Sequence, residues 1–194
     1  MKKIMFNDRY GLTEAVLDGR KTQTRRIAYQ EPFKYNCNSG ICTEGKDKGK
    51  LIINDGYEIV AKSTYKLGEV VAVAQSYSDI RFNVELPSGI TTSEGWGNKM
   101  FVKSSLMPHQ IKITSIRWER LQDISTDDCM KEGICCSHID GIDDAYSYDA
   151  TNDSFEKKWW YRTPIEAYKM LSCKLHLHWD SNPLVFVYDF KLVK

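Results

Sequence analysis

Residues 10–27 read YGLTEAVLDGRKTQTRRI, and this stretch combines a short helix, a break and the start of a strand. Leu12, Ala15 and Val16 recur at the spacing of one helical face. Gly19 follows, and glycine suits the left-handed conformation that ends many helices. Side chains of residues 22–27 alternate between two faces, as they do in a strand. The stretch therefore predicts a helix that leads directly into a strand.

Four further segments have the composition of strands. The segment at 70–75 is apolar up to its last residue, Gln75, and such a run is typical of a buried strand. Within the segment at 110–119, the apolar positions change phase between Ile113 and Ile116, which indicates a bulge or a bend. The predicted strands are 70–75 (VVAVAQ), 99–103 (KMFVK), 110–119 (QIKITSIRWE) and 184–193 (LVFVYDFKLV).

Two other segments predict helices. Ser125 or Thr126 can cap a short helix that runs through Glu132 and ends at Gly133. Residues 163–164 are Thr-Pro before IEAYKMLSCKL, and proline is well placed in the first turn of a helix. Several strands with two or three helices between them predict an α+β fold, with a small mixed or closed sheet and peripheral helices.

The chain of 194 residues is expected to form one domain over residues 1–194. Hydrophobic residues make up 42% of it and charged residues 27%, which suits a globular protein with a core. The stretches 29–56 and 137–163 are polar and show little periodicity. They are predicted to be surface insertions on a smaller core.

The net charge is only +1, so overall charge gives no argument for nucleic-acid binding. The charges are unevenly distributed along the chain. Residues 1–26 contain seven Lys/Arg and three Asp/Glu, and residues 99–120 contain five Lys/Arg and one Glu. Residues 123–156, in contrast, contain one Lys and ten Asp/Glu. The fold could bring the two basic segments together, or all three could be ordinary solvated faces.

Three observations bear on the compartment. No run of about 18 apolar residues is present, so no membrane partner is expected. The N-terminal MKKIMFNDRY has no apolar stretch behind its charges, so no signal peptide is expected. Six cysteines without a secretory signal indicate free thiols in a reducing compartment, and the protein is predicted to be cytoplasmic.

The segment GRKTQTRR at 19–26 is the strongest candidate for a site, since it holds four cations and two hydroxyls. Guanidinium groups bind phosphate oxygens through paired hydrogen bonds, lysine adds a point charge, and threonine hydroxyls donate hydrogen bonds. The segment therefore predicts a phosphate or nucleotide site. The alternative is an exposed basic turn in which Arg25 or Arg26 pairs with an acidic neighbour.

Three residues elsewhere are further candidates. His109 could touch a ligand, although a single histidine is more often structural or exposed. Glu132 could be a buried acid that faces the basic segment, or an exposed helix residue. Trp179 could stack on a base at the mouth of a pocket, or belong to the core. The cysteines and histidines lack a tight CxxC pair, so no metal and no cofactor are predicted.

Taken together and in order, four segments resemble the ASCH family, whose fold is the PUA-like β-barrel. They are GRKTQTRR at 19–26, YKLGEVVAVAQSY at 65–77, SSLMPHQIKITSIRWERLQDISTDDCMKEGI at 104–134 and WDSNPLVFVYDFKLV at 179–193. The resemblance implies a barrel of about five or six strands with short peripheral helices and two surface insertions. It also implies RNA binding in a cleft lined by the GRKT segment. Some small members hydrolyse N4-acetylcytidine with a lysine, a threonine and a glutamate, which fall here on Lys21, Thr24 and Glu132.

Three functions remain as alternatives. The first is binding of RNA or of a modified nucleoside or nucleotide in a basic cleft around residues 19–26. Its predicted ligand-binding residues are Arg20, Thr22, Arg25, Arg26, His109 and Trp179. The second is hydrolysis of an N-acylated nucleoside, in which Lys21 activates the Thr24 hydroxyl and Glu132 orients the lysine or handles protons. Neighbouring cations would lower the pKa of Lys21 for this role. The third is a protein-interaction module that contacts a basic partner through residues 137–156.

Overall fold

The computed structural model describes residues 1–29, 38–46, 48–54, 59–86, 88–139, 142–148 and 160–193. Its strands are β1 (Lys3–Ile4), β2 (Gln23–Tyr29), β3 (Asn38–Ile41), β4 (Leu51–Asn54), β5 (Ile59–Lys62), β6 (Val70–Val73), β7 (Gln110–Arg120), β8 (Cys135–Ile139), β9 (Ile142–Ser147) and β10 (Leu184–Leu192). Its α-helices are α1 (Leu12–Leu17), α2 (Tyr77–Ile80), α3 (Thr126–Lys131) and α4 (Pro164–Lys174). Short 3₁₀ helices span Asp8–Tyr10, Ile90–Thr92, Glu94–Trp96, Lys99–Phe101, Ser104–Leu106, Leu121–Asp123 and Trp179–Ser181.

The main sheet has five strands in the order β1-β6-β7-β10-β2. β1 runs parallel to β6, and the other neighbouring pairs are antiparallel. A second sheet has the order β3-β4-β5, and β8 pairs with β9 as a hairpin. The molecule is therefore α+β, with a mixed main sheet and peripheral helices.

The predicted PUA-like barrel is wrong, because the main sheet of the described residues is open. Its edges are β1 and β2, and no ladder joins them in the ranges described. β1 is only two residues long, and β2 carries the charges of Arg25 and Arg26. Short strands and charged side chains both oppose further pairing at a sheet edge. The Arg26 side chain crosses the gap, where its Nη2 donates to the Met5 carbonyl oxygen at 2.6 Å.

Most of the predicted elements are confirmed with small differences in their bounds. β7 contains the predicted bulge, since Asp189 lies opposite Ser115 while the next residue, Phe190, lies opposite Ile113. α3 begins after the Ser125 cap and ends before Gly133, as predicted. The strands predicted at 22–27, 70–75 and 184–193 correspond to β2, β6 and β10.

One local prediction is wrong, and regular structure forms in the described parts of both predicted insertions. The segment 99–103 does not form a strand, because Lys99–Phe101 is a 3₁₀ helix capped by the Asn98 side chain. The described part of the first insertion is not irregular, since β3 and β4 form there and the β4 residues Leu51 and Ile53 are buried in the main core. The described part of the second insertion contains β9 and the last three residues of β8, with which β9 pairs.

The core lies on both faces of the main sheet. Val71 and Val73 of β6 belong to the larger cluster, together with apolar residues of α1, α3 and α4. Ala72 and Ala74 belong to a smaller cluster formed with residues 77–107. Because successive strand residues point to opposite faces, this double burial explains why residues 71–74 are all apolar.

Candidate functional site

A cavity of about 430 Å³ lies where the end of β1 faces the start of β2. It therefore occupies the gap between the two edges of the main sheet. Its lining combines cations, carboxylates and apolar side chains. The lining residues are Met5, Phe6, Asn7, Asp8, Leu12, Lys21, Thr24, Arg25, Arg26, Lys99, Glu132, Leu175 and Leu177. The three residues predicted to be catalytic thus share one cavity.

Backbone hydrogen bonds fix the segment that carries the lysine. After α1, Gly19 adopts a φ of 75°, which turns the chain towards β2. The Lys21 N–H then donates to the Ala15 carbonyl oxygen at 2.8 Å. The Thr22 N–H donates to the Lys131 carbonyl oxygen at 2.9 Å, at the end of α3. The segment is therefore held between α1 and α3.

Lys21 and Glu132 form a buried ion pair, and their side chains are only 2% and 4% exposed. The Lys21 Nζ donates to Glu132 Oε2 at 2.6 Å and to the Glu132 carbonyl oxygen at 2.6 Å. Burial lowers the pKa of Lys21 below its ordinary value, and Arg26 and Arg25 act in the same direction. The Glu132 carboxylate opposes this shift, since it attracts the ammonium.

The end of α3 places Glu132 beside Lys21, because Glu132 directly follows the last residue of the helix. The Ser125 hydroxyl accepts the Asp128 N–H at the start of the helix, and Glu132 is its C-terminal cap. Gly133 follows with a φ of 102°, which side-chain-bearing residues rarely adopt. The turn at Gly133 directs the chain away, while the Glu132 side chain stays against Lys21.

Gly133→Ala is expected to lower the free energy of unfolding by about 1–2 kcal/mol, because an L-residue is strained at positive φ. The added Cβ would lie 3.4 Å from Leu12 Cδ2 and 3.6 Å from Lys21 Cβ, so most of the effect comes from the backbone. Urea unfolding measures it. Gly97→Ala is the matched control, since Gly97 has a φ of −108° and open space around its Cβ position. Equal unfolding free energies for the two variants would contradict this account.

Thr24 is the candidate nucleophile, and it lies in β2 at the cavity wall. Its side chain is buried, with 5% of the residue exposed. Its hydroxyl makes no hydrogen bond to any residue that the structure describes. The hydroxyl is therefore available to a molecule in the cavity.

The Arg25 guanidinium forms hydrogen bonds within the protein, whereas the sequence predicted that it would bind a ligand. Its Nε and Nη2 donate to Glu119 Oε1 at 2.9 and 2.6 Å, and Nη2 also donates to Asp128 at 3.1 Å. Its Nη1 donates to Gln23 at 2.6 Å and to Glu132 Oε1 at 3.0 Å. These bonds use all five N–H donors of the guanidinium. Burial would lower the pKa of Arg25, but Glu132 and Glu119 together raise it.

The network extends through Asp128 to the sheet. Arg117 donates to Asp128, and also to Asp189 Oδ2 at 3.2 Å. Gln23 donates to Asp128 at 3.3 Å and to Asp189 at 2.6 Å. Burial would raise the pKa of Asp128, but the cations Lys131, Arg117 and Arg25 lower it. The neighbouring cations therefore favour the ionised form of the Asp128 carboxyl group.

Arg26, which was predicted to bind the ligand, lines the cavity. Its guanidinium lies against the Phe6 ring, with 6.0 Å between the guanidinium carbon and the ring centroid. Its Nη2 binds the Met5 carbonyl oxygen. Its Nε is buried and has no hydrogen-bond partner in the described part of the chain. One donor of Arg26 is therefore unsatisfied at the cavity wall.

Four other predicted ligand-binding residues lie outside the lining of this cavity. Arg20 is exposed and pairs with Asp18 at 3.0 Å, and it lines a separate groove together with Thr22. His109 precedes β7, and its carbonyl oxygen accepts the Val73 N–H. Trp179 is buried and packs against Tyr168, with 6.2 Å between ring centroids.

Several lining residues were not predicted from the sequence. Lys99 Nζ donates to Asp8 Oδ1 at 2.7 Å and to the Thr13 hydroxyl at 3.2 Å, which joins the segment 99–101 to the cavity rim. Leu175 and Leu177 provide an apolar wall after α4. No local pattern reveals these residues, since Lys99 and Asp8 are 91 positions apart.

The described residues contain no group of three or more His, Cys, Asp or Glu side chains arranged to hold a metal ion. The five cysteines in these ranges are free thiols: Cys42, Cys129, Cys135, Cys136 and Cys173. Among the helices described, none has the length and apolar character needed to cross a membrane. Compared with protein-family models, with curated proteins and with solved structures, the chain matches none.

Proposed function

We propose that the cavity is the active site of an amidohydrolase that acts on an N-acylated nucleobase or nucleoside, such as N4-acetylcytidine. The observation that supports this most is the buried Lys21–Glu132 ion pair, with 2.6 Å between Nζ and Oε2, in the cavity that Thr24 also lines. A base, a hydroxyl and a carboxylate in one cavity are the groups that acyl transfer requires. The substrate class comes from the resemblance to the ASCH family, and membership of that family is part of the proposal.

In this proposal, Thr24 Oγ attacks the acyl carbonyl carbon while the neutral Lys21 amine takes the hydroxyl proton. The C–N bond then breaks, and the proton passes from Lys21 to the leaving nitrogen. Water hydrolyses the resulting threonine ester, which releases the carboxylic acid and restores the hydroxyl. Burial favours the neutral amine, because it lowers the pKa of Lys21.

The size and lining of the cavity suit one nucleoside better than an RNA strand. Its volume of about 430 Å³ lies within the range of small-molecule pockets, which is about 300–1,000 Å³. Phe6 and the leucines 175 and 177 offer apolar surface for a base or an acyl group. Arg26, which also lines the cavity, supplies a positive charge. Arg25, in contrast, has no donor left for phosphate.

Purified protein is expected to release cytidine and acetate from N4-acetylcytidine, measured by chromatography across a panel of N-acylated cytidines. Lys21→Met and Glu132→Gln should each lower the rate by about a hundred-fold or more, as expected on loss of an acid–base group. Arg20→Ala is the control, because Arg20 lies outside the cavity lining. If the folded parent released no cytidine from any member of the panel, the hydrolase proposal would fail.

A second candidate is binding of a modified nucleoside without hydrolysis. It is favoured by one observation, namely that both oxygens of Glu132 are already occupied by Lys21 and Arg25. In this case N4-acetylcytidine would bind unchanged, and calorimetry would detect binding without product. An RNA partner would instead show an affinity that falls steeply with salt. Half of the predicted interaction segment at 137–156 lies outside the described residues, and the interaction module remains a prediction.

A further inference from the structure

The Glu132 carboxylate is shared by two cations in the buried network. Its Oε2 accepts the Lys21 ammonium at 2.6 Å, and its Oε1 accepts Arg25 Nη1 at 3.0 Å. Each oxygen therefore has its own cation. A carboxylate that is already paired with one cation attracts a second cation less strongly.

Arg25 cannot move towards or away from Glu132 easily. Its side chain is fully buried, and Glu119, Asp128 and Gln23 hold the remaining donors. Four of the five hydrogen bonds of the Arg25 guanidinium join residues more than 90 positions apart, so the position of Arg25 depends on the assembled fold. The guanidinium is therefore a fixed positive charge beside Glu132.

We infer that Arg25 is a positioning residue: by holding one oxygen of Glu132, it weakens the attraction of Glu132 for the Lys21 ammonium and favours the neutral amine. This inference rests on the proposed role of Lys21 as the base. It gives Arg25 a role in the site that involves no contact with substrate. It also differs from the ligand-binding role that the sequence predicted for Arg25.

The charges around Lys21 come from several elements of the fold. Among the residues that the structure describes, only Glu132 accepts a hydrogen bond from the Lys21 ammonium. Burial, Arg26 and Arg25 lower the pKa of Lys21, while Glu132 raises it. The charged and titratable groups of the site and network are Glu132, Asp128, Cys129 and Lys131 at α3, Arg25 and Arg26 on β2, Arg117 and Glu119 on β7, Tyr168 on α4, Asp189 on β10, and Asp8 and Lys99 at the cavity rim.

The test follows the ionisation of Lys21 directly, by NMR of protein labelled with ¹³C at lysine Cε, with Lys21→Met used for assignment. In Arg25→Met, the Glu132 carboxylate loses its ion pair with Arg25 and keeps the one with Lys21. The titration midpoint of Lys21 is therefore expected to rise by about one pH unit. In Glu119→Gln, the cation stays and one of its counter-charges is lost, so the midpoint is expected to fall. Arg117→Met is the control, since Arg117 contacts Glu119 and Asp128 and makes no ion pair with Glu132.

Opposite shifts in Arg25→Met and Glu119→Gln support the inference, because a merely structural role gives no reason for a change of sign. An unchanged or lower midpoint in Arg25→Met, or a shift of the same sign in both variants, overturns it. If Arg25→Met does not fold, Glu119→Gln decides the question, and an unchanged or higher midpoint there overturns the inference. The titration needs no substrate. A parent protein without turnover would therefore refute the proposed function, while the titration midpoints of Lys21 would still test the role of Arg25.

Discussion

Thr24→Val is expected to lower the turnover of N4-acetylcytidine by at least about a thousand-fold, since loss of an acyl-transfer nucleophile can reduce kcat by roughly a million-fold. Valine keeps the size and branching of threonine and removes only the hydroxyl. The hydroxyl makes no hydrogen bond to a described residue, so its removal leaves no protein group unpaired. The initial rate of cytidine release measures the effect, and the KM should change little.

Thr22→Val is the matched control for this prediction. Thr22→Val makes the same exchange of a hydroxyl for a methyl group. Thr22 lines the separate groove with Arg20 and does not line the cavity. Turnover should stay close to that of the parent. If Thr24→Val kept more than a tenth of the parent rate, as an order-of-magnitude threshold, Thr24 could not be the nucleophile.

Arg25→Met is expected to lower the free energy of unfolding by about 3–5 kcal/mol, because it leaves buried carboxylates without their shared cation. Arg25 is fully buried and pairs with Glu119, Asp128 and Glu132. Methionine fills a similar volume, so lost packing contributes little. Urea unfolding at neutral pH measures the change.

Arg117→Met provides the comparison, because Arg117 binds two of the same carboxylates, Glu119 and Asp128. Its side chain is 37% exposed, and water screens its ion pairs. Its loss should lower the unfolding free energy by only about 0–1 kcal/mol. Equal losses in the two variants would show that burial does not distinguish the two arginines.

Local patterns predicted the elements that carry the site. The helix–glycine–strand order of residues 10–27 predicted α1 and β2, and the phase change between Ile113 and Ile116 predicted the β7 bulge. Each of these signals lies within a few residues. The resemblance further placed Lys21, Thr24 and Glu132 together, and the structure brings all three to one cavity.

The sequence did not predict features that depend on contacts between distant segments. The open edge between β1 and β2 depends on which ladders form, and strand composition alone does not determine this. The role of Arg25 depends on carboxylates 94 to 107 positions away. Lys99 was assigned to a strand because its neighbours are apolar, whereas it lies in a 3₁₀ helix and binds Asp8 at the cavity rim.

The most direct test of the proposed active site is a time course of cytidine release from N4-acetylcytidine by the parent, Thr24→Val and Thr22→Val. The account predicts equal release by the parent and Thr22→Val, and almost none by Thr24→Val. Release by Thr24→Val at the parent rate, or no release by a folded parent, would contradict it.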